Sequence, residues 1–259
     1  MSADGEIRTS IDGRLLHIEV DRAEKMNGFT PEMFASLRAA LTKLDDDAEL
    51  WVGVLTFAGP HTTAGLDLPR FAASMRGDGG AVESGVDPFG ISRRVRKPLV
   101  TAVQGVTFTI GIEMMLAADI AIAADDCRFC QMEPKRGLAV FGGAHVRYVE
   151  RAGWGNAMYH LLRADEFDAA RALALGLVQE VVPVGRQKER AFAIAHEIAT
   201  LAPIAVQEIK RGALVYLEKG EREAFAEIPA MRKRTANTKD FAEGIASFRE
   251  KRKPVFEGR

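Results

Sequence analysis

Two uninterrupted apolar runs set what this chain can become. Trp51 to Phe57, and Leu99 to Val103 directly after Lys97-Pro98, show no polar alternation. A strand that is apolar on both faces is buried on both, the pattern of a parallel sheet covered by helices. Leu15 to Val20 reads as a further strand and Ile120 to Ala123 as another. Between them lie helical signals. Thr30-Pro31-Glu32 is a start signal, with Thr30 as N-cap, Pro31 at the first helical position and an acid in the first turn. Met33, Phe34, Leu37, Ala40, Leu41 and Leu44 then recur at helical spacing. Gly111 to Ala118 reads as a short buried helix, and Gly142-Gly143 and Gly153 punctuate the helices that follow. The fold class is therefore α/β.

The composition shifts near residue 200. Arg190–Leu201, Pro203–Leu217, Arg222–Lys233 and Asp240–Lys251 read as successive amphipathic helices. The expected organisation is a core over residues 1–200 holding the active site, and a helical region over residues 201–259. Met75 to Asp87, which contains Arg76-Gly77-Asp78-Gly79-Gly80, reads as a mobile surface loop.

Charge and cysteine usage exclude several function classes. The 259 residues carry 35 Lys plus Arg and 36 Asp plus Glu, a net charge of −1. A nucleic-acid binder needs a basic excess, so no nucleic-acid partner is expected. The longest apolar stretch, Gly111 to Ala124, is broken by Glu113 and Asp119 and falls short of the ~20 residues that span a bilayer. The N-terminal residues carry no basic segment followed by an apolar one, so the expectation is a cytoplasmic protein with no membrane association. Cys127 and Cys130 are spaced C-x-x-C, but no second pair and no nearby His completes a zinc set. Arg128-Phe129 between them reads as strand rather than the start of a helix, so two core thiols are expected.

Three patches carry candidate chemistry. His61 to Leu68 follows an apolar strand, and its small residues let a ligand approach the backbone. The bland alternative is a plain strand-to-helix turn. Gly105 to Glu113 leads into an apolar helix whose free N–H groups and positive dipole end can stabilise a developing oxyanion. Glu113 lies one turn into that helix, as a functional acid or as a dipole-compensating one. Glu133 could pair with Lys135 or Arg136 as an ordinary surface ion pair.

Lys97 to Gly105 (K-P-L-V-T-A-V-Q-G) resembles a block of the crotonase superfamily, the enoyl-CoA hydratases and isomerases. Ala64-Gly65-Leu66-Asp67 is similar to that family's A-G-x-D motif. Gly111-Ile112-Glu113 with Ala118-Asp119-Ile120 is similar to its catalytic helix, Phe129 to Glu133 to its F-x-Q-P-E block, and Asp240 to Pro254 to its C-terminal block. The blocks agree in order and spacing over nearly the whole chain.

The resemblance implies a spiral of ββα units with a C-terminal helical trimerisation region, assembled as a homotrimer or as a hexamer built from two trimers. It implies an acyl-CoA thioester substrate, with coenzyme A part of the substrate and no separate cofactor or metal. By family position the oxyanion-hole N–H groups fall on Ala64 and Ile110, with Gly65, Leu66, Asp67 and Leu68 beside the substrate. Glu113 and Glu133 take the catalytic roles, and their separation of 20 residues matches the hydratases. Syn addition of water needs an acid and a base on one side of the double bond. Candidate CoA-binding cations are Arg22, Lys25, Arg70 and Lys251, with Phe248 near the adenine. Ile110 departs from the family's glycine at that loop, and a β-branched residue resists positive φ. Phe108, Phe141 and His145 also depart from the usual pattern and mark a distinct acyl pocket. The implied activity is 2-enoyl-CoA hydration. The alternatives are isomerisation, dehalogenation or hydrolysis of an acyl-CoA, or a non-catalytic CoA-binding homologue.

Overall fold

The computed structural model describes residues 4–71 and 84–259. Among them two sheets are seen. The larger has six strands in the order β1 (Glu6–Asp12), β2 (Leu15–Asp21), β3 (Val52–Phe57), β4 (Leu99–Val103), β6 (Ile120–Ala124) and β9 (Glu180–Val182). The smaller joins β5 (Val106–Phe108), β7 (Arg128–Cys130) and β8 (Phe167–Asp168). β1 pairs antiparallel with β2, and every other pairing in the larger sheet is parallel.

The apolar runs are buried on both sides, as expected. Val54, Val100, Ala102 and Ile122 face α6 (Gln187–Ala199), where Ala191, Ile194 and Ala195 close over them. Leu55, Phe57, Leu99 and Val103 belong to the opposite core. That core includes Met33, Leu37, Leu41 and Leu44 of α1 (Pro31–Asp46) and the apolar α3 (Ile110–Ala117). α2 (Leu68–Phe71) is a single turn. α4 (Ala144–Arg163) is kinked at Gly153, and α5 (Ala169–Ala174) precedes β9. Both cysteines are buried and free, and burial lifts their thiols to about 12 for Cys127 and about 11 for Cys130. They are core residues.

α1 starts where the sequence signals it. Thr30 Oγ1 accepts from the Met33 N–H at 3.2 Å, with Pro31 directly after the cap. Thr30→Ala should therefore lose about 1 kcal/mol of unfolding free energy in urea titration. Unchanged stability would show that the cap contributes nothing.

The tail follows as α7 (Pro203–Lys219), α8 (Glu221–Ala226), α9 (Ile228–Ala236) and α10 (Lys239–Glu250). The single helix expected over 222–233 is two. Pro229 lies in the first turn of α9, and a proline ring cannot continue a helix whose earlier turn it would clash with. Lys210 anchors α7 to the core, donating to Asp119 at 2.6 Å and to the Lys97 carbonyl at 2.9 Å. Much apolar surface stays exposed along the tail, including Ile209, Phe225, Ile228 and Phe248.

β1 had no apolar signal. Its residues are mostly exposed and polar, as suits the edge of an antiparallel pair. The loop expected over 75–87 falls, through residue 83, outside the described residues. Its described end is fixed: Val86 is buried, and the Asp87 carboxylate accepts from the Phe89, Ile91 and Ser92 N–H groups. No single helix among the described residues is long and apolar enough to cross a membrane. One pair, α6 with α7, reaches the length and composition only together, and it bends by 107°.

Candidate active site

The segment from Thr63 to Asp67 runs between two supports. Phe29 bridges Leu66, and Thr107 of β5 bridges Thr63. Met26 and Asn27 are both left-handed, at φ 50°, which turns their carbonyls toward this segment. The Ala64 N–H donates to the Met26 carbonyl at 2.9 Å, and Thr63 Oγ1 donates to the Asn27 carbonyl at 2.7 Å. The Asn27 side chain donates to the Ala58 and His61 carbonyls. Asn27 is therefore a site-building residue that the motif comparison missed. Its signal was the Asn27-Gly28 dipeptide, a common mark of tight turns.

These bonds correct the assignment of Ala64 as an oxyanion donor, because its N–H already donates within the protein. Among the described residues the Leu66 N–H donates to no acceptor, and neither does the Ile110 N–H at the first position of α3. Leu66 and Ile110 both line one cavity of about 170 Å³. Positive φ in the second loop falls on Thr109 (φ 49°, ψ −115°) rather than on Ile110, which is helical. Thr109 is held there because its N–H donates to the Cys130 carbonyl and its own carbonyl accepts from Ile112 and Glu113. Gly65, at φ 116°, faces it, and a Cβ at residue 65 would come within 2.6 Å of Thr109 Oγ1.

Glu113 is wholly buried on α3. Its Oε1 accepts from the Ala144 N–H at 3.2 Å, at the N-terminus of α4, while Oε2 has no hydrogen-bond partner among the described residues. Burial lifts this carboxyl above the usual range, and the Ala144 and Gly142 N–H groups and Arg147 oppose the rise. Gly142 makes room for it: a Cβ there would lie 2.6 Å from Glu113 Cδ and 2.8 Å from Phe89. Arg147 fixes the turn, donating to the Gly142 carbonyl at 3.1 Å and to the Phe89 carbonyl at 2.5 Å. Gly142 and Arg147 were not legible as site residues, because both act through groups distant in sequence.

Glu133 opens a 3₁₀ turn, Glu133–Arg136, and lies on the cavity wall while being 5% exposed. Burial, together with the nearby Glu113 charge, raises its carboxyl to about 7. Among the described residues Glu133 forms no ion pair with Lys135 or Arg136, although all three belong to the same turn. Instead the Gln131 amide, with its nitrogen toward Glu133, donates to the carboxylate at 3.1 Å and to the Thr109 carbonyl at 3.3 Å.

The remaining candidates divide. Ala64, Gly65, Leu66, Leu68 and Phe141 line the cavity, as do Met132, Arg136 and Leu138. Phe108 does not: it packs with Val106 and Cys130 on the small sheet, because β5 turns it away from the cavity. His145 is exposed on the first turn of α4 and also lies off the wall. Arg22 is buried and spends its charge on Asp67 at 2.9 Å and on the Gly28 carbonyl, so it supports the loop instead of offering a free cation. Arg70 is paired with Asp4 and Glu32. Lys25, Phe248 and Lys251 are exposed and away from the wall.

Two carboxyls beside a loop with open N–H groups, on a mainly parallel sheet with a helical tail, define a class that the comparisons identify. A family model for enoyl-CoA hydratase/isomerase matches residues 10–259. The protein belongs to that family and has the crotonase fold. It is 32% identical over 251 residues to the enoyl-CoA hydratase EchA19 of Mycobacterium tuberculosis, covering 95% of this chain and 94% of that one. The crystal structure of a "probable enoyl-CoA hydratase/isomerase" from Mycobacterium abscessus superposes with a TM-score of 0.94 at 39% identity, covering 98% of both chains. That of an enoyl-CoA hydratase from Mycobacterium tuberculosis gives 0.89 at 33%, covering 98% of this chain and 99% of that one.

Proposed function

We propose that the protein is a 2-enoyl-CoA hydratase. The observation that supports this reading is the pair of coupled carboxyls, Glu133 on the cavity wall and Glu113 behind it. In this reading the thioester oxygen accepts from the Leu66 and Ile110 N–H groups, which stabilise the enolate as charge develops. Water bonds to Cβ and gives a proton to Glu113 Oε2. The π electron pair moves into the enolate, and Cα takes a proton from Glu133. Transfer of a proton from Glu113 to Glu133 resets the site, so the net change is the addition of one water. The environments suit these roles. Glu133, at about 7, is partly protonated near neutrality and serves as the acid. Glu113 has its carboxylate at the N-terminus of α4, which favours the anion and hence the base.

One observation favours isomerisation as a second reading: Glu113 does not line the cavity. Moving a proton between two carbons needs one shuttling carboxyl, and Glu133 alone would serve. The loss of conjugated-thioester absorbance from crotonyl-CoA separates the two. Glu113→Gln should slow hydration by about 10²- to 10⁴-fold. No hydration of any 2-enoyl-CoA by the wild-type protein would sink the hydratase reading. Conversion of a 3-enoyl-CoA that survives Glu113→Gln but not Glu133→Gln would establish the isomerase.

The exposed apolar side chains of α7–α10 support assembly into a homotrimer or a hexamer. Lys25 and Lys251, both exposed and in no ion pair among the described residues, with Phe248, are the proposed contacts to CoA, shared between subunits.

A further inference from the structure

We propose that Arg136 is the specificity residue for the acyl group, and that the site takes a short 2-enoyl thioester bearing a carboxylate on the acyl chain. The inference rests on the cavity being an acyl-CoA site. Leu66, Leu68, Ile110, Leu138 and Phe141 make its wall mostly apolar, and among the described residues the lining side chains that can carry charge are Glu133 and Arg136. A 3₁₀ helix eclipses residues three apart, so Arg136 stands on the same face as Glu133, about 6 Å further along. Among the described residues its guanidinium is uncommitted: it forms no ion pair with them, and its one hydrogen bond to them is a long contact of 3.4 Å with the carbonyl of its neighbour Lys135. The other arginines flanking this region are committed: Arg22 to Asp67, Arg70 to Asp4 and Glu32, Arg128 to Glu166.

Position selects the source of the anion. Glu133 meets the ligand at Cα, so a group held by Arg136 lies a few bonds from the reacting carbons. The CoA phosphates lie at the far end of the pantetheine arm. A planar guanidinium matches a carboxylate in bidentate fashion, and a cavity of about 170 Å³ suits a short chain.

Calorimetric binding of unreactive saturated thioesters tests this without requiring turnover, so a failure of the hydratase reading leaves the test intact. Wild-type protein should bind glutaryl-CoA about tenfold more tightly than butyryl-CoA. Arg136→Gln should bring that ratio close to one, Arg136→Lys should keep part of it, and Lys135→Gln should leave it as in the wild type. A wild-type ratio near one, or a ratio unchanged in Arg136→Gln, overturns the proposal. So does an Arg136→Gln variant that weakens both CoA esters equally while binding butyryl-pantetheine as well as the wild type does, because Arg136 would then hold a phosphate.

Discussion

Glu133→Gln is expected to slow hydration by about 10²- to 10⁴-fold and, at pH 8, to make the protein more stable. The two effects share one cause. In the folded chain the Glu133 carboxyl is raised from 4.5 to about 7 by burial and by the Glu113 charge. Between those values the folded chain keeps a proton that the unfolded chain has released. Stability therefore falls as pH rises from about 4.5 to 7, by up to roughly 3 kcal/mol. Glutamine carries no charge and escapes this loss. Denaturant unfolding at pH 8 should show the variant more stable than wild type, with the difference shrinking toward zero at pH 4.5. Wild-type kcat/KM should fall above about pH 7 as the acid form is lost. A variant less stable than wild type at both pH values would show that Glu133 is not held at a cost.

Gly142→Ala carries the second large effect. The new Cβ would fall against the Glu113 carboxyl and Phe89, and the Arg147 clamp on the Gly142 carbonyl leaves the turn little room to retreat. Overpacking of this kind costs about 1–3 kcal/mol. Glu113 must also turn away, so kcat should drop about 100-fold while the thioester contacts proposed for Leu66 and Ile110 remain. Gly155→Ala is the contrast: it lies in α4 with nothing within 4 Å of its Cβ. It should gain up to about 1 kcal/mol from helix propensity and leave kcat alone. Wild-type kcat in Gly142→Ala would show that the carboxyl position does not depend on that glycine.

How far the sequence could be read follows from the range of each interaction. The strands Val52–Phe57 and Leu99–Val103, and the start of α1 at Thr30, are legible because burial pattern and capping are written within a few residues. β1 was silent because an exposed edge strand needs no apolar face. The two acids were legible from motif and spacing. Their environments were not, because a carboxyl's proton affinity depends on what the fold packs around it.

The loop before Asp67 shows the same limit. Its motif placed an oxyanion donor on Ala64, yet Met26, 38 residues earlier in the chain, takes that N–H and leaves Leu66 open. Phe108 and His145 departed from the family pattern, but a strand's alternation and a helix's exposed face carried both off the cavity. Residue order alone specifies the α/β class, the pair of acids and the glycine-bearing loops, because each is encoded by local pattern. The open donors, the roles proposed for Glu113 and Glu133 and the uncommitted charge of Arg136 belong to the tertiary structure. Each depends on which hydrogen-bond partners and charges the folded chain brings within a few ångströms.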